Sequence, residues 1–264
     1  MSVFEALILG IVQGIAEFLP ISSSGHLVVL REVFQLDGEM LTFDVFVHVG
    51  SLAAILAVFW PDVWKLLKNP FCKMTGLLIL GTIPAIVIGL PLRSVIEGDL
   101  FNSAVFLAAA FTLTGILLMF ADSFKAGRKE ERDITVFDAL FVGVMQALAL
   151  PPGISRSGMT ITGALSRGIK RETAANFSFM LAIIAIGGVG LVESIELATG
   201  RATIENIGLT PMVVGAVASA LVGYVSIKLL LKLIKACKLR YFSYYVWALA
   251  GLILLDNILV NWRF

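Results

Sequence analysis

A stretch of 21 residues occurs twice in this chain, and no other feature limits its fold so sharply. The first copy, Ala6 to His26, reads ALILGIVQGIAEFLPISSSGH. The second, Ala139 to Met159, reads ALFVGVMQALALPPGISRSGM. They align without a gap at an offset of 133, close to half the chain, and nine positions are identical. Those include Gly10/Gly143, Gln13/Gln146, Ser22/Ser155, Ser24/Ser157 and Gly25/Gly158. Self-similarity on this scale points to two like halves, 1–132 and 133–264, within one domain. Each copy is an apolar arm, a break at Leu19-Pro20 or Pro151-Pro152-Gly153, and a short second arm. Proline ends the first arm because it lacks an N–H and clashes with the preceding turn.

Composition says where the halves sit. The chain is 58% apolar with a mean hydropathy of +0.95, which marks a polytopic membrane protein. Six runs are long enough to span a bilayer at roughly 20 residues each: 43–60, 74–92, 104–121, 174–196, 210–232 and 243–261. Two further runs, 3–30 and 137–165, hold the repeated motif. A net charge of +1 implies no nucleic-acid partner. Cys72 and Cys237 have neither zinc-site spacing nor the number for a disulfide framework. Met1 to Leu30 contains no Lys or Arg, so the N-terminus does not read as a secretory signal.

The basic residues test the topology. If both motif segments dip into the membrane and return, one side receives 15 Lys and Arg, from Lys65 to Arg240. The other receives four, Arg31, Arg93, Arg201 and Arg263. The rich side is expected to be cytoplasmic. Full crossing by 137–165 would move Arg167, Lys170 and Arg171 outside and erase the bias. Each half then has one re-entrant segment and three crossings. Three is odd, so the halves insert in opposite orientation and their broken tips can meet near mid-membrane. The expected fold is all-α, with six transmembrane helices, two re-entrant helix pairs and an inverted-topology repeat.

The meeting point sets Glu17, Ser22, Ser23, Ser24, Gly25 and His26 against Gly153, Ser155, Arg156, Ser157 and Thr160. Arg156 is the one basic residue away from a loop or membrane edge, and charge inside a membrane is costly. Small hydroxyls and glycines flank it, as in a phosphate cradle, and guanidinium grips phosphate oxygens in a fork. The plainer alternative is a structural Arg156–Glu17 ion pair. Glu17 lies four residues after Gln13, on the same helical face, where a carboxylate can act as a base or hold a divalent cation. His26, beside three serines, is a candidate nucleophile, base for Ser23 or acid for a leaving group. Asp44 and His48 read as an interfacial polar pair. Asp138, Glu193, Glu196 and Asp256 read as solvated caps at span ends.

These stretches resemble a known family. Gln13 to His26 is similar to the first signature of the bacterial undecaprenyl-pyrophosphate phosphatases of the bacitracin-resistance type. Pro152 to Thr160 is similar to their second, Pro-Gly-x-Ser-Arg-Ser-x-x-Thr. Phe43 to Ser51 and Leu80 to Ala85 extend the likeness, which covers nearly the whole chain. The resemblance implies interlocked inverted repeats in the bacterial cytoplasmic membrane, with a site open to the periplasmic or external side. It implies hydrolysis of undecaprenyl diphosphate to the monophosphate, renewing the lipid carrier for peptidoglycan synthesis and giving bacitracin resistance. It places Glu17, Ser23, His26 and Arg156 on catalytic positions. Ser22, Ser24, Gly25, Gly153, Ser155, Ser157 and Thr160 are the expected phosphate-binding residues. A divalent cation, Mg²⁺ or Ca²⁺, would sit on Glu17, with Gln13 a weaker donor where many members carry Glu. The expected partners are the polyprenyl diphosphate and the membrane, with a homodimer as a candidate assembly.

Two other readings compete. A lipid-phosphate flippase would use the same inverted repeats for binding alone. A lipid phosphatase of the PAP2 class is suggested by Ser24-Gly25-His26 but needs a second histidine where Thr162 stands.

Overall fold

In lipid, backbone N–H and C=O groups have no water to bond, so each segment must satisfy its own, which selects helices. The computed structural model describes residues 1–36, 40–96, 103–125, 127–199, 207–236 and 238–259. Arg201, Arg263 and Cys237 lie outside the described residues, as does the side chain of Arg93. Among the described residues there are ten α-helices and no β-strand. They are α1 (Val3–Ala16), α2 (Ser23–Val33), α3 (Leu41–Lys68), α4 (Lys73–Ile96) and α5 (Ala104–Ser123), then α6 (Val136–Ala147), α7 (Arg156–Ser166), α8 (Arg171–Ala198), α9 (Leu209–Lys235) and α10 (Arg240–Leu259). Six are long and apolar enough to cross a membrane, and they coincide with the six expected runs. The protein is an all-α polytopic membrane protein. Leu221, Val225, Leu252, Leu255 and Ile258 are exposed on α9 and α10, as a lipid-facing surface requires.

The repeat is visible in the helices. α2 and α7 have 11 residues each, α3 and α8 have 28, and α5 and α10 have 20. Both motif segments open with the same device. Ser2 and Thr135 cap α1 and α6, and Glu5 and Asp138 answer as capping boxes. The segments then exchange neighbours, α1 packing along α9 and α6 along α4. Glycine makes both contacts. A Cβ on Gly10 would lie 2.3 Å from the Gly215 carbonyl oxygen, and one on Gly143 would lie 2.4 Å from that of Gly81. Small residues let helix backbones touch where lipid supplies no hydrophobic drive.

Neither arm of the first motif segment is long enough to cross alone: α1 has 14 residues and α2 has 11, about 21 and 16 Å of helix, against roughly 30 Å of hydrocarbon. In both segments the two arms pack against each other. On the first turn of α6, Asp138 accepts hydrogen bonds from Lys129 at 2.8 Å and from Arg167, just past α7, at 3.0 Å. At the start of α1, Ala6 and Leu9 pack in one apolar cluster with Leu27 and with Leu30 of α2.

Asp138 departs from its expected role. It is fully buried rather than solvated, because the mixed-charge stretch 127–133 between α5 and α6 folds over it. Lys129 both bridges to Ile169 and donates to the Asp138 carboxylate. At the same end Lys73 donates to the Arg132 carbonyl, Arg171 pairs with Asp122, and the Arg240 N–H donates to Asp122. The basic residues scattered along the sequence therefore gather at one end of the bundle.

Candidate functional site

The two breaks touch. Pro20 and the Pro151-Pro152 pair end α1 and α6, and Ser22 and Ser155 cap α2 and α7 by accepting from the Gly25 and Gly158 N–H groups. The approach needs glycine. Gly153 has φ +87°, and a Cβ there would lie 2.7 Å from the Ala110 Cβ. A Cβ on Gly25 would lie 2.9 Å from the Gly153 Cα. The Ser157 hydroxyl then donates across the joint to the Leu19 carbonyl at 3.2 Å.

Glu17 stands at the centre. One carboxylate oxygen accepts from Arg156 Nη2 at 3.1 Å. The other accepts from the Ser23 hydroxyl at 2.6 Å and from Gln13 Nε2 at 3.2 Å. The ion pair weighed from sequence exists, but it occupies one oxygen of Glu17 and, among the described residues, one N–H of the guanidinium. The remaining guanidinium donors suit phosphate oxygens. Ser23 and Arg156 are partly exposed and Ser24 is exposed, while Glu17 and His26 form the floor at 8% and 7% exposure.

Ser22 carries local strain. Its φ of 69° lies in the left-handed region, which costs a non-glycine residue on the order of 1–3 kcal/mol. His26 holds that turn, its Nδ1–H donating to the Ser22 carbonyl at 2.7 Å. Because a carbonyl only accepts, a proton is on Nδ1, and Nε2 shares a hydrogen bond with the Tyr245 hydroxyl at 2.8 Å. The ring packs against Phe111 and Tyr245. His26 is therefore tied to Ser22 and Tyr245, and the described hydrogen bond of Ser23 runs to Glu17 instead.

The second break is used differently. Ser155, Ser157 and Thr160 are buried. Thr160 donates to the Arg156 carbonyl at 2.9 Å and meets the Ser178 hydroxyl at 2.6 Å. Ser155 caps α7, and its N–H donates to Thr114, which donates to the Gly153 carbonyl. These expected phosphate ligands form a frame that aims Arg156.

Two further groups at the site, one beside Glu17 and one beside His26, carried little or no signal in sequence. His48 Nε2 lies 3.9 Å from Glu17 Oε2. The expected Asp44–His48 pair is backbone-mediated: His48 Nδ1 donates to the Asp44 carbonyl at 2.8 Å, and the Asp44 carboxylate pairs with Arg31. The four-residue spacing was the available clue to His48. Tyr245, on the last helix, belongs to no motif, and nothing in its sequence neighbourhood marks it.

Fold and site define a class: a helical membrane protein with a buried carboxylate, a hydroxyl and a guanidinium joined across two broken segments, suited to an anionic headgroup. Within that class, the chain belongs to the bacitracin resistance protein BacA family, whose profile matches residues 6–252. It is 45% identical to an undecaprenyl-diphosphatase of Carboxydothermus hydrogenoformans over 96% of this chain and 97% of that one. It is also 45% identical to undecaprenyl-diphosphatase 4 of Bacillus cereus, with the same coverage. An undecaprenyl-diphosphatase of Halothermothrix orenii is 38% identical over 97% of this chain and 98% of its own.

Proposed function

We propose that the protein is an integral membrane phosphatase that hydrolyses undecaprenyl diphosphate to undecaprenyl phosphate and inorganic phosphate. That reaction recycles the lipid carrier of peptidoglycan synthesis and gives resistance to bacitracin. The observation that carries the reading is Glu17 bonded at once to the Ser23 hydroxyl and to Arg156 from the opposite break. Phosphoryl transfer rests mainly on positioning and charge stabilisation, and this triangle supplies both.

In the proposed reaction Arg156 turns its remaining N–H groups to the terminal phosphate. Ser23 Oγ attacks that phosphorus, its proton passing to Glu17, and the anhydride P–O bond breaks to release undecaprenyl phosphate. Glu17 then gives that proton to solvent, takes a proton from the water that attacks the phosphoryl group on Ser23, and passes it to Ser23 Oγ as the Oγ–P bond breaks and inorganic phosphate leaves. The contacts of His26 favour Ser23 as the nucleophile and give His26 the task of holding the Ser22 turn.

A divalent cation, Mg²⁺ or Ca²⁺, fits the floor of the site. Gln13 Oε1 is a buried oxygen without a hydrogen-bond partner, next to Glu17, and hard cations take carboxylate and amide oxygens. Among the described residues no three His, Cys, Asp or Glu cluster, so Glu17 and Gln13 would share the ion with phosphate oxygens and water. Bound there, it would offset the charge of the diphosphate.

The motif segments are proposed to be re-entrant, with the basic end of the bundle in the cytoplasm. His48, beside Glu17, lies in the half of α3 away from that end, which supports a site open to the external face. The test is phosphate release from undecaprenyl diphosphate by purified protein, with and without EDTA, beside Glu17→Ala. Metal-dependent release that Glu17→Ala abolishes is expected. No release with any divalent cation from a folded protein would leave the flippase reading.

A further inference from the structure

A cavity of about 260 Å³ lies between α3 and α8, next to the site. His48 forms part of its wall, and the same ring faces Glu17 at 3.9 Å. Leu52, Gly187, Gly190 and Leu191 line it further along. Ser194 also lines it but turns its hydroxyl back onto the Gly190 carbonyl, which leaves the wall apolar there.

The glycines of this wall differ from those that join helices elsewhere. Gly10, Gly14, Gly50 and Gly143 each sit so close to a neighbouring backbone that a Cβ would approach it to 2.6 Å or less. A Cβ on Gly190 would meet nothing within 4 Å, and one on Gly187 would meet only the Leu52 side chain at 3.9 Å. Glycine weakens a helix relative to alanine, and here no close helix contact accounts for it. What these two glycines do achieve is an open, apolar trough that runs on from the carboxylate site.

We propose that this trough holds the first isoprene units of the lipid diphosphate's hydrocarbon chain, with Gly187 and Gly190 keeping it open. The inference rests on the function proposed above and assigns the chain-binding part of the same site. Continuity through His48 selects this occupant. A diphosphate gripped by Arg156 beside Glu17 must lead its tail away through an apolar path, and the trough begins there.

The experiment is Gly190→Leu, whose side chain enters open space. It is expected to raise KM for undecaprenyl diphosphate on the order of tenfold while the Ki of inorganic diphosphate, a headgroup alone, stays within about twofold. An unchanged KM, or equal shifts in both constants, would overturn the proposal. A second variant needs no turnover: Gly190→Cys in a Cys72→Ser, Cys237→Ser background. Undecaprenyl diphosphate should slow maleimide labelling of the new thiol, and inorganic diphosphate should not. Equal labelling with both would mean that bulk lipid fills the trough. Protection without phosphate release would count against the phosphatase reading and leave the chain site standing.

Discussion

The two breaks descend from one pattern and do opposite work. In the first, Ser22 is held in a left-handed turn, and Ser23 and Ser24 face outward above Glu17. In the second, Ser155 keeps an extended φ of −74°, and Ser155, Ser157 and Thr160 are buried in hydrogen bonds to backbone and side chains. Two side chains cross from the second break to the first: Arg156 reaches the Glu17 carboxylate, and Ser157 reaches the Leu19 carbonyl. Gln13 and Gln146 diverge in the same way. Gln13 donates to Glu17, whereas both polar atoms of buried Gln146 lack a protein partner, because Leu150 stands where the first copy has Glu17. The repeated geometry makes two helix starts that meet. The two copies differ at a few positions, so that the first exposes hydroxyls beside a carboxylate and the second buries its own.

Serine-to-alanine changes separate these roles. Ser23→Ala should lower kcat for phosphate release by about 10²-fold or more, since it removes the oxygen proposed to attack. Ser157→Ala should leave kcat within about threefold but cost stability of about 0.5–1.5 kcal/mol, since it removes one hydrogen bond across the joint while the Leu19 carbonyl keeps the Ile21 N–H. Activity and detergent melting curves on both variants check this, and equal losses of kcat would erase the distinction. Gly153→Ala should lower the stability of the joint by about 2–3 kcal/mol, from its φ of +87° and the Ala110 contact. Gly168→Ala has a similar φ of +73° but open space around it, and should cost less. Melting midpoints of the pair would show the difference.

A further effect, on stability alone, lies at the basic end, outside the six spans. Burial alone would raise the Asp138 carboxyl, but hydrogen bonds from Lys129, Thr135 and Arg167 outweigh it and hold the group down at about 2. A depressed carboxylate stabilises the fold above its unfolded value, near 3.8, and loses that contribution as pH falls through about 2. The expected loss is about 2 kcal/mol between pH 5 and the acid limit. Melting curves over that range should show an acid step that Asp138→Asn lacks. An identical step in the variant would assign it to other carboxylates.

Much of this was legible in the sequence. The six spans followed from run length, and the proline breaks followed from backbone chemistry. The pairing of Glu17 with Arg156 followed from two halves of opposite orientation. What stayed hidden depended on side-chain direction. Ser157 and Thr160 resemble phosphate ligands by type, yet a short polar side chain at a helix start can bond its own backbone equally well. His48 and Asp44 share a face by spacing, but spacing does not say that a ring will bond a carbonyl and leave the carboxylate to Arg31. Tyr245 reaches His26 from 219 residues away, a contact that only the packing of α10 against α5 brings about.

The most direct measurement of the joined site is a double-mutant cycle on kcat/KM with Glu17→Ala, Arg156→Ala and the double variant. Residues that act as one unit are not additive. If the two breaks form one reactive centre, each single change costs about 10³-fold or more, and the double variant is no worse than the poorer single. Losses that multiply would mean that Glu17 and Arg156 act independently, and that the meeting of the two breaks is structural only.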